Sequence, residues 1–225
     1  EYSSERIGTN YTKVSSKYTL SDYKGEPISY DIEKAADADA KAKLTDETKD
    51  YAGSAKVLKV SNGDKFNLKI NVKEDGLYVM DFDYLSYDES ILPIAMAMQV
   101  DGEYPFYETR NIKLATTWNL AKEKNYDRYG NEVVAVPEKD IRWENRAIYD
   151  ASYRHSDPLK LQLKKGEHTL SFEVKEGNFL LGNVGLSAAE EVEAYKGSEK
   201  ADGDAIIEIQ GEEYAETNDS SIHAI

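Results

Sequence analysis

Phe66-Asn67-Leu68-Lys69-Ile70-Asn71-Val72 is the stretch that decides the fold class of this chain. Apolar and polar side chains alternate with a period of two, so one face seeks a core and the other faces water, as in a half-buried strand. Turn chemistry stands on both sides, Ser61-Asn62-Gly63-Asp64 before it and Lys73-Glu74-Asp75-Gly76 after it. Outward from there the rhythm repeats. Lys56 to Val60 reads as a short strand, Leu77 to Leu85 as a longer one, and Ile94 to Val100 as another, closed by Asp101-Gly102. Lys113 ends a further short strand. Near the C-terminus, Leu159, Leu161 and Leu163 alternate with polar residues, Lys165-Gly166 turns, Thr169 to Val174 alternates, Glu176-Gly177-Asn178 turns, and Phe179 to Leu186 is the last strand. Short alternating strands at these spacings predict an all-β chain, an antiparallel β-sandwich of the jelly-roll kind.

The sandwich is expected over 29–187. Residues 1–28 are a polar, Tyr-dotted extension with a short helix near Tyr11 to Tyr23, and Lys34 to Asp50 reads as a weak helix or a surface loop. Asn119 to Pro158 interrupts the strands as a long polar and aromatic insertion, and insertions of that length in a compact domain are usually functional or disordered. Trp143, Tyr149 and Tyr153 weigh against plain disorder. Residues 188–205 read as an acidic linker. Ile206 to Tyr214 looks like a fresh strand, so 206–225 is expected to be either an added strand or the start of a second module.

Composition narrows the function. The chain has 225 residues, 40% of them hydrophobic, which is enough for one sizeable core. Forty-three acidic against 28 basic residues give a net charge of −15, which argues against nucleic acid and anionic membranes as partners. No apolar run reaches the ~18 residues of a membrane span. The chain starts at Glu1 and is read as a processed or trimmed fragment of a larger multi-domain protein. Cysteine is absent, which removes disulfides, thiolate metal sites and thiol nucleophiles. This profile fits an extracellular or cell-surface protein of a Gram-positive bacterium. Seventeen tyrosines against five phenylalanines suit strands and wet contact surfaces.

Catalytic signatures are scarce: there is no GxSxG, no HExxH and no phosphate-binding glycine loop. His168 falls on a strand pattern, where a structural role is expected; His155 lies in the insertion and could touch a ligand. Binding chemistry is better supplied. Sugars present C–H faces, which aromatic rings cover, and hydroxyl edges, which Asn, Asp, Glu and Arg hydrogen-bond. Tyr104 to Arg110 and Arg142 to Arg146 combine both types, and Trp118 and Tyr126 to Tyr129 add more. The candidates are Trp143, Tyr149, Tyr153, Arg110, Asn145 and Trp118. Each has a plainer alternative: Trp118 and Phe106 in the core, Arg110 paired with a carboxylate, Tyr126 to Tyr129 packing the loop. No DxDxDG calcium loop is present; Glu33 is the candidate metal ligand.

Three features in order resemble a known family. They are the Tyr30 to Ala36 opening strand, the Gly76-Leu77-Tyr78-Val79 turn into a strand, and the Lys165-Gly166-Glu167-His168-Thr169-Leu170 hairpin. The chain resembles the galactose-binding-like jelly rolls, including carbohydrate-binding module families 6 and 35. Val100 to Phe106 with Trp118 is similar to modules of Firmicutes extracellular solute-binding lipoproteins. The resemblance covers about Ser29 to Ser187. It implies a two-sheet jelly roll, a polysaccharide or oligosaccharide partner, no required cofactor and an optional structural calcium. It matches Glu33 to the acid of the family's opening strand and Asn178 to a ligand-contacting Asn before the last strand. The Asn119 to Pro158 insertion departs from the family and could cover its usual site or build another. Three functions therefore stand: non-catalytic glycan binding, a structural or interaction domain without a sugar site, and a hydrolase with an unrecognised carboxylate pair.

Overall fold

The computed structural model describes residues 9–88, 90–119, 125–133 and 137–190. The first compact unit of the chain ends at Glu190. The expected strand and second module at 206–225, and all but the first residues of the expected linker, lie outside the described residues. In chain order the elements are α1 (Tyr11–Ser15), β1 (Ile28–Tyr30), α2 (Ile32–Ala35), α3 (Ala38–Lys41), β2 (Leu44–Thr45), β3 (Val57–Val60), β4 (Lys65–Val72), β5 (Gly76–Ser86), β6 (Ile94–Val100) and β7 (Ile112–Leu114). After them come β8 (Trp118–Asn119), β9 (Asn125–Tyr126), β10 (Glu132–Val133), β11 (Glu138–Lys139), β12 (Glu144–Ala147), β13 (Lys160–Leu163), β14 (Gly166–Glu176) and β15 (Phe179–Ser187). A 3-10 turn at Tyr107–Arg110 leads into β7.

The alternation in β4 is realised as read: Phe66, Leu68, Ile70 and Val72 are buried while Lys65, Lys69 and Asn71 face water. β4 pairs with β14 over eight registered residues, and the smaller sheet runs β4-β14-β6-β7. The larger sheet runs β12-β5-β15-β3-β2, with β1 on β15 and β13 on β5, all antiparallel. β12 and β13 share one edge, β12 against Asp81 to Tyr84 and β13 against Gly76 to Val79. The inner faces meet through Tyr78, Met80, Phe82 and Tyr84 on one side and Leu68, Ile70, Met96, Met98 and Phe172 on the other. Phe172 stacks on Phe66 and meets Phe82 edge-on across the sandwich. Each such side chain contributes roughly 1.5–3 kcal/mol by leaving water. The chain is thus a two-sheet antiparallel β-sandwich with a few short helices.

Three local expectations change. The helix expected over Tyr11 to Tyr23 is only α1, capped by the Asn10 side chain. Beyond it the chain runs as a strap beside β13, held by Tyr18 Oη donating to the Lys160 carbonyl and by Thr19 and Leu20 N–H groups donating to Gln162 Oε1. The opening strand stops at Tyr30, because the Asp31 carboxylate accepts from the N–H groups of Glu33 and Lys34 and starts α2 there. The insertion carries ladders of its own: β8 pairs with β11, β9 with β10, and β12 joins the larger sheet.

Candidate functional site on the outer face of the larger sheet

In β5 the core residues Met80, Phe82 and Tyr84 alternate with Asp81 and Asp83, so the pleat aims both carboxylates away from the core on one face. β12 brings Asn145 opposite Asp83, and the Asn145 Nδ2 donates to Asp81 Oδ1 at 2.7 Å and to Asp83 Oδ1 at 2.8 Å. On the other flank β15 places Gly185 opposite Asp81. A Cβ there would fall 2.4 Å from Asp81 Oδ1, so the carboxylate lies in space that only glycine leaves open. Gly182, in the irregular register between Leu181 and Val184, does the same for Tyr51, whose ring would meet a Cβ at 2.6 Å. Tyr51 Oη donates to Asp83 Oδ2 and accepts from the Asn183 N–H at 2.9 Å. Asn183 is buried; its Oδ1 accepts from the Ile32 N–H and its Nδ2 donates to the Gly53 carbonyl, which fixes α2 and the loop before β3 against the sheet.

Asp81, Asp83, Asn145, Asn183 and Gly185 line an open pocket of about 230 Å³, together with Pro27, Ile28 and Ser29 of the segment around β1. No Lys or Arg lines it. Burial, joined by the neighbouring Asp83 charge, pushes the Asp81 carboxyl above its usual range, against the opposing hydrogen bond from Asn145. Beside the pocket Trp143 packs its ring on Tyr51, centroids 4.2 Å apart at 32°. The Trp143 Nε1 donates to the Thr48 and Lys49 carbonyls, and both rings cover a small apolar cluster of Val57, Leu85 and Leu180. The pocket therefore offers carboxylate and amide edges at its floor, and the Tyr51 hydroxyl ties a neighbouring aromatic pair to Asp83. Asp81 and Asp83 share one amide nitrogen on one floor, whereas glycosidase carboxyls flank the scissile bond from two sides. This pair accepts hydrogen bonds.

Of the residues singled out from the sequence, Trp143 and Asn145 meet here and the others lie elsewhere. Tyr149 and Tyr153 sit on the loop before β13, where Tyr153 is 93% exposed in a left-handed backbone conformation (φ 55°). The buried Asp150 holds that loop by accepting from the Ser152 and Arg154 N–H groups. Arg110 stacks its guanidinium on the Tyr104 ring at 4.1 Å rather than pairing with a carboxylate. Trp118 is half-buried and donates from Nε1 to Thr116 Oγ1; Phe106 is in the core. Asn178 donates from its backbone N–H and its side chain to Asp88, which also receives the buried Lys139 ammonium. His155 is bonded to Thr12 and packed on Tyr11. Glu33 accepts from the Lys56 N–H, and among the described residues no group of three or more His, Cys, Asp or Glu is placed to hold a metal ion. Asp81, Asp83, Asn183, Tyr51 and the two glycines were not singled out. The acidic positions in Met80-Asp81-Phe82-Asp83-Tyr84, and the glycines of Leu181-Gly182-Asn183-Val184-Gly185, were the available signals.

No protein-family model matches the chain, and no curated protein sequence matches it. Similar solved structures include a family 35 carbohydrate-binding module from Clostridium thermocellum, 14% identical, covering 73% of this chain and all of that one, with a TM-score of 0.44. The C-terminal family 6 module of a laminarinase from Zobellia galactanivorans is 8% identical, covering 72% and 99%, with a TM-score of 0.38. A Podospora anserina mannanase that carries a family 35 module is 12% identical, covering 76% of this chain and 29% of that one, with a TM-score of 0.43. At these identities the likeness concerns the fold.

Proposed function

We propose that this chain is a non-catalytic glycan-binding module that takes a sugar at the Asp81–Asp83–Asn145 pocket. The observation that carries the reading is an open concavity whose floor is built of the Asp81 and Asp83 carboxylates and the Asn145 amide, with the Tyr51–Trp143 ring pair next to Asp83 through the Tyr51 hydroxyl. Carboxylates accept hydrogen bonds from vicinal hydroxyls, the Asn145 and Asn183 amides sit among them, and aromatic ring faces cover the C–H faces of a pyranose. With two acids and no base in the lining, the pocket favours neutral sugars over uronates. The reading places the chain outside the cell or on its surface, as one module of a larger protein that meets polysaccharide.

A glycan array probed with the whole chain, followed by calorimetry on the strongest neutral hit, tests this. Asp83→Ala is expected to weaken binding by at least about tenfold, or about 1.4 kcal/mol. Unaltered affinity in Asp83→Ala and Asn145→Ala would move the site elsewhere. An array without any hit would favour a structural or protein-interaction domain.

A further inference from the structure

The two carboxylates of the pocket share a single donor group. Asn145 gives both hydrogens of its Nδ2, one to Asp81 Oδ1 and one to Asp83 Oδ1. The N–H bonds of one amide diverge by about 120°, so the two acceptor oxygens lie roughly 5 Å apart. Like charges at that range, partly withdrawn from water, disfavour each other's ionisation.

No cation balances them. Asn145 faces the pair from β12, Asn183 and Gly185 from β15, and Ser29 from β1. Glu144 and Arg146 of β12 pair with Tyr84 and Phe82, on the other side of the pleat. Tyr51 adds only a hydroxyl, and Asp31, at the start of α2, puts a further negative charge near Tyr51. Lys160 of β13 pairs with Val79, two residues along β5 from Asp81, and its ammonium is held by Asp22 at 2.8 Å.

The two acids are not equivalent. Asp83 has two donors, Asn145 and the Tyr51 hydroxyl. Asp81 has Asn145 alone, and its Oδ2 has no hydrogen-bond partner among the described residues. That carboxylate lies over the bare backbone of Gly185. A proton therefore goes to Asp81, on Oδ2, and the same oxygen is the one left for a sugar hydroxyl. Ionised, it accepts a charge-assisted hydrogen bond; protonated, it makes a neutral one about half as strong.

From two carboxylates tied to one amide nitrogen, one of them with a free oxygen and neither with a cation, we infer that the pocket is a proton-operated switch, which holds its sugar while Asp81 is ionised and releases it as Asp81 takes a proton in mild acid. This rests on the reading of the pocket as a glycan site. Burial and the Asp83 charge hold the Asp81 carboxyl above its usual range, so the proton is taken before ordinary surface carboxylates titrate. Because the sugar prefers the ionised form, binding expels the proton.

The test is calorimetry on the whole chain with tetrasaccharides of β-1,4-linked glucose, β-1,4-linked mannose and α-1,6-linked glucose, using whichever gives heat, in steps from about pH 8 to about pH 5. Wild-type affinity is expected to fall by up to about tenfold towards acid, with proton release on binding read from buffers of different ionisation enthalpy. Asp81→Asn keeps the shape and cannot ionise; it should bind about tenfold more weakly at neutral pH, with no pH dependence and no proton release. Carbon-13 NMR of the free chain should show the Asp81 carboxyl titrating above the usual carboxylate range, and Asp83→Asn should bring it down. Wild-type binding that does not change with pH would overturn the switch and leave the pocket standing. A pH dependence retained in Asp81→Asn, or an Asp81 carboxyl that titrates in the ordinary range, would overturn it equally. No heat from any of the three sugars at any pH would overturn the pocket and the switch together.

Discussion

Gly182→Ala tests how the pocket is built. The new Cβ would lie 2.6 Å from Tyr51 Cζ and 2.7 Å from its Oη. Carbon contacts settle near 3.5–4.0 Å, so the ring must withdraw by about 1 Å. Its hydroxyl cannot then keep both Asp83 and the Asn183 N–H, and its face leaves Trp143. Two hydrogen bonds at about 1 kcal/mol each and a ring pair at about 0.5–1.5 give a loss of about 3 kcal/mol. The smaller entropy of the unfolded alanine chain returns about 0.4–1 kcal/mol, leaving about 2. Urea unfolding is the assay; with a slope of about 2 kcal/mol per molar, the midpoint should fall by about 1 M. The decisive comparison is a double-mutant cycle with Tyr51→Ala. Once the ring is gone Gly182→Ala has nothing to displace, and its cost should drop below about 0.5 kcal/mol. Equal costs in both backgrounds would refute the claim that Gly182 is there to seat Tyr51.

Two further outcomes follow from charge placement. Arg154 donates to Glu108 Oε1 at 2.8 Å and to Asp150 Oδ2 at 3.2 Å, and these acidic side chains are 3% and 1% exposed. Arg154→Ala should cost about 2–4 kcal/mol in chemical denaturation at neutral pH, somewhat under the usual figure for a buried pair because the arginine itself is half-exposed. Burial alone would raise the Asp150 carboxyl, but the Ser152 N–H and Arg154 hold it below its usual range. That stabilisation is present above the ordinary carboxylate pKa and is lost as pH falls through the lowered one, so the gap to Arg154→Ala should narrow in acid. His168 lies 2.7 Å from Asp101 and from the Lys164 carbonyl. Burial would lower its pKa, yet these two acceptors together raise it above 6.5. A raised value means the imidazolium stabilises the fold below about pH 6.5 and that this is lost as pH climbs through the folded pKa. His168→Gln should therefore cost up to about 1 kcal/mol near pH 5.5, given the exposed Asp101 partner, and almost nothing near pH 9; the reverse order in paired urea melts would exclude the ion pair.

Much of the sandwich was legible because period-two alternation is a local consequence of the pleat. Phe66 to Val72, Thr169 to Val174 and the Asp101-Gly102 turn all adopt what their own residues dictate. The misread segments are those where a side chain captures the backbone or a distant strand supplies the partner. Asp31 ends β1 through its own carboxylate, and β12, with the polar sequence Glu144-Asn145-Arg146-Ala147, becomes a strand because β5 offers it an edge.

The site divides the same way. The residues of Trp143 to Asn145 already mark a contact-rich stretch, since an indole next to an amide is conspicuous in any reading. Asp81 and Asp83 are merely the polar half of an alternating strand among 43 acidic residues. What raises them above that background is Gly182 and Gly185, about a hundred residues later, leaving bare the floor on which Tyr51 and Asp81 lie. The sequence by itself determined the alternating core strands such as β4 and β14, their turns and the absence of thiol chemistry, because those depend on neighbours in the chain. Only the tertiary structure decided which outward-facing side chains share a surface, because antiparallel register brings β5, β12 and β15 together without regard to their separation along the chain.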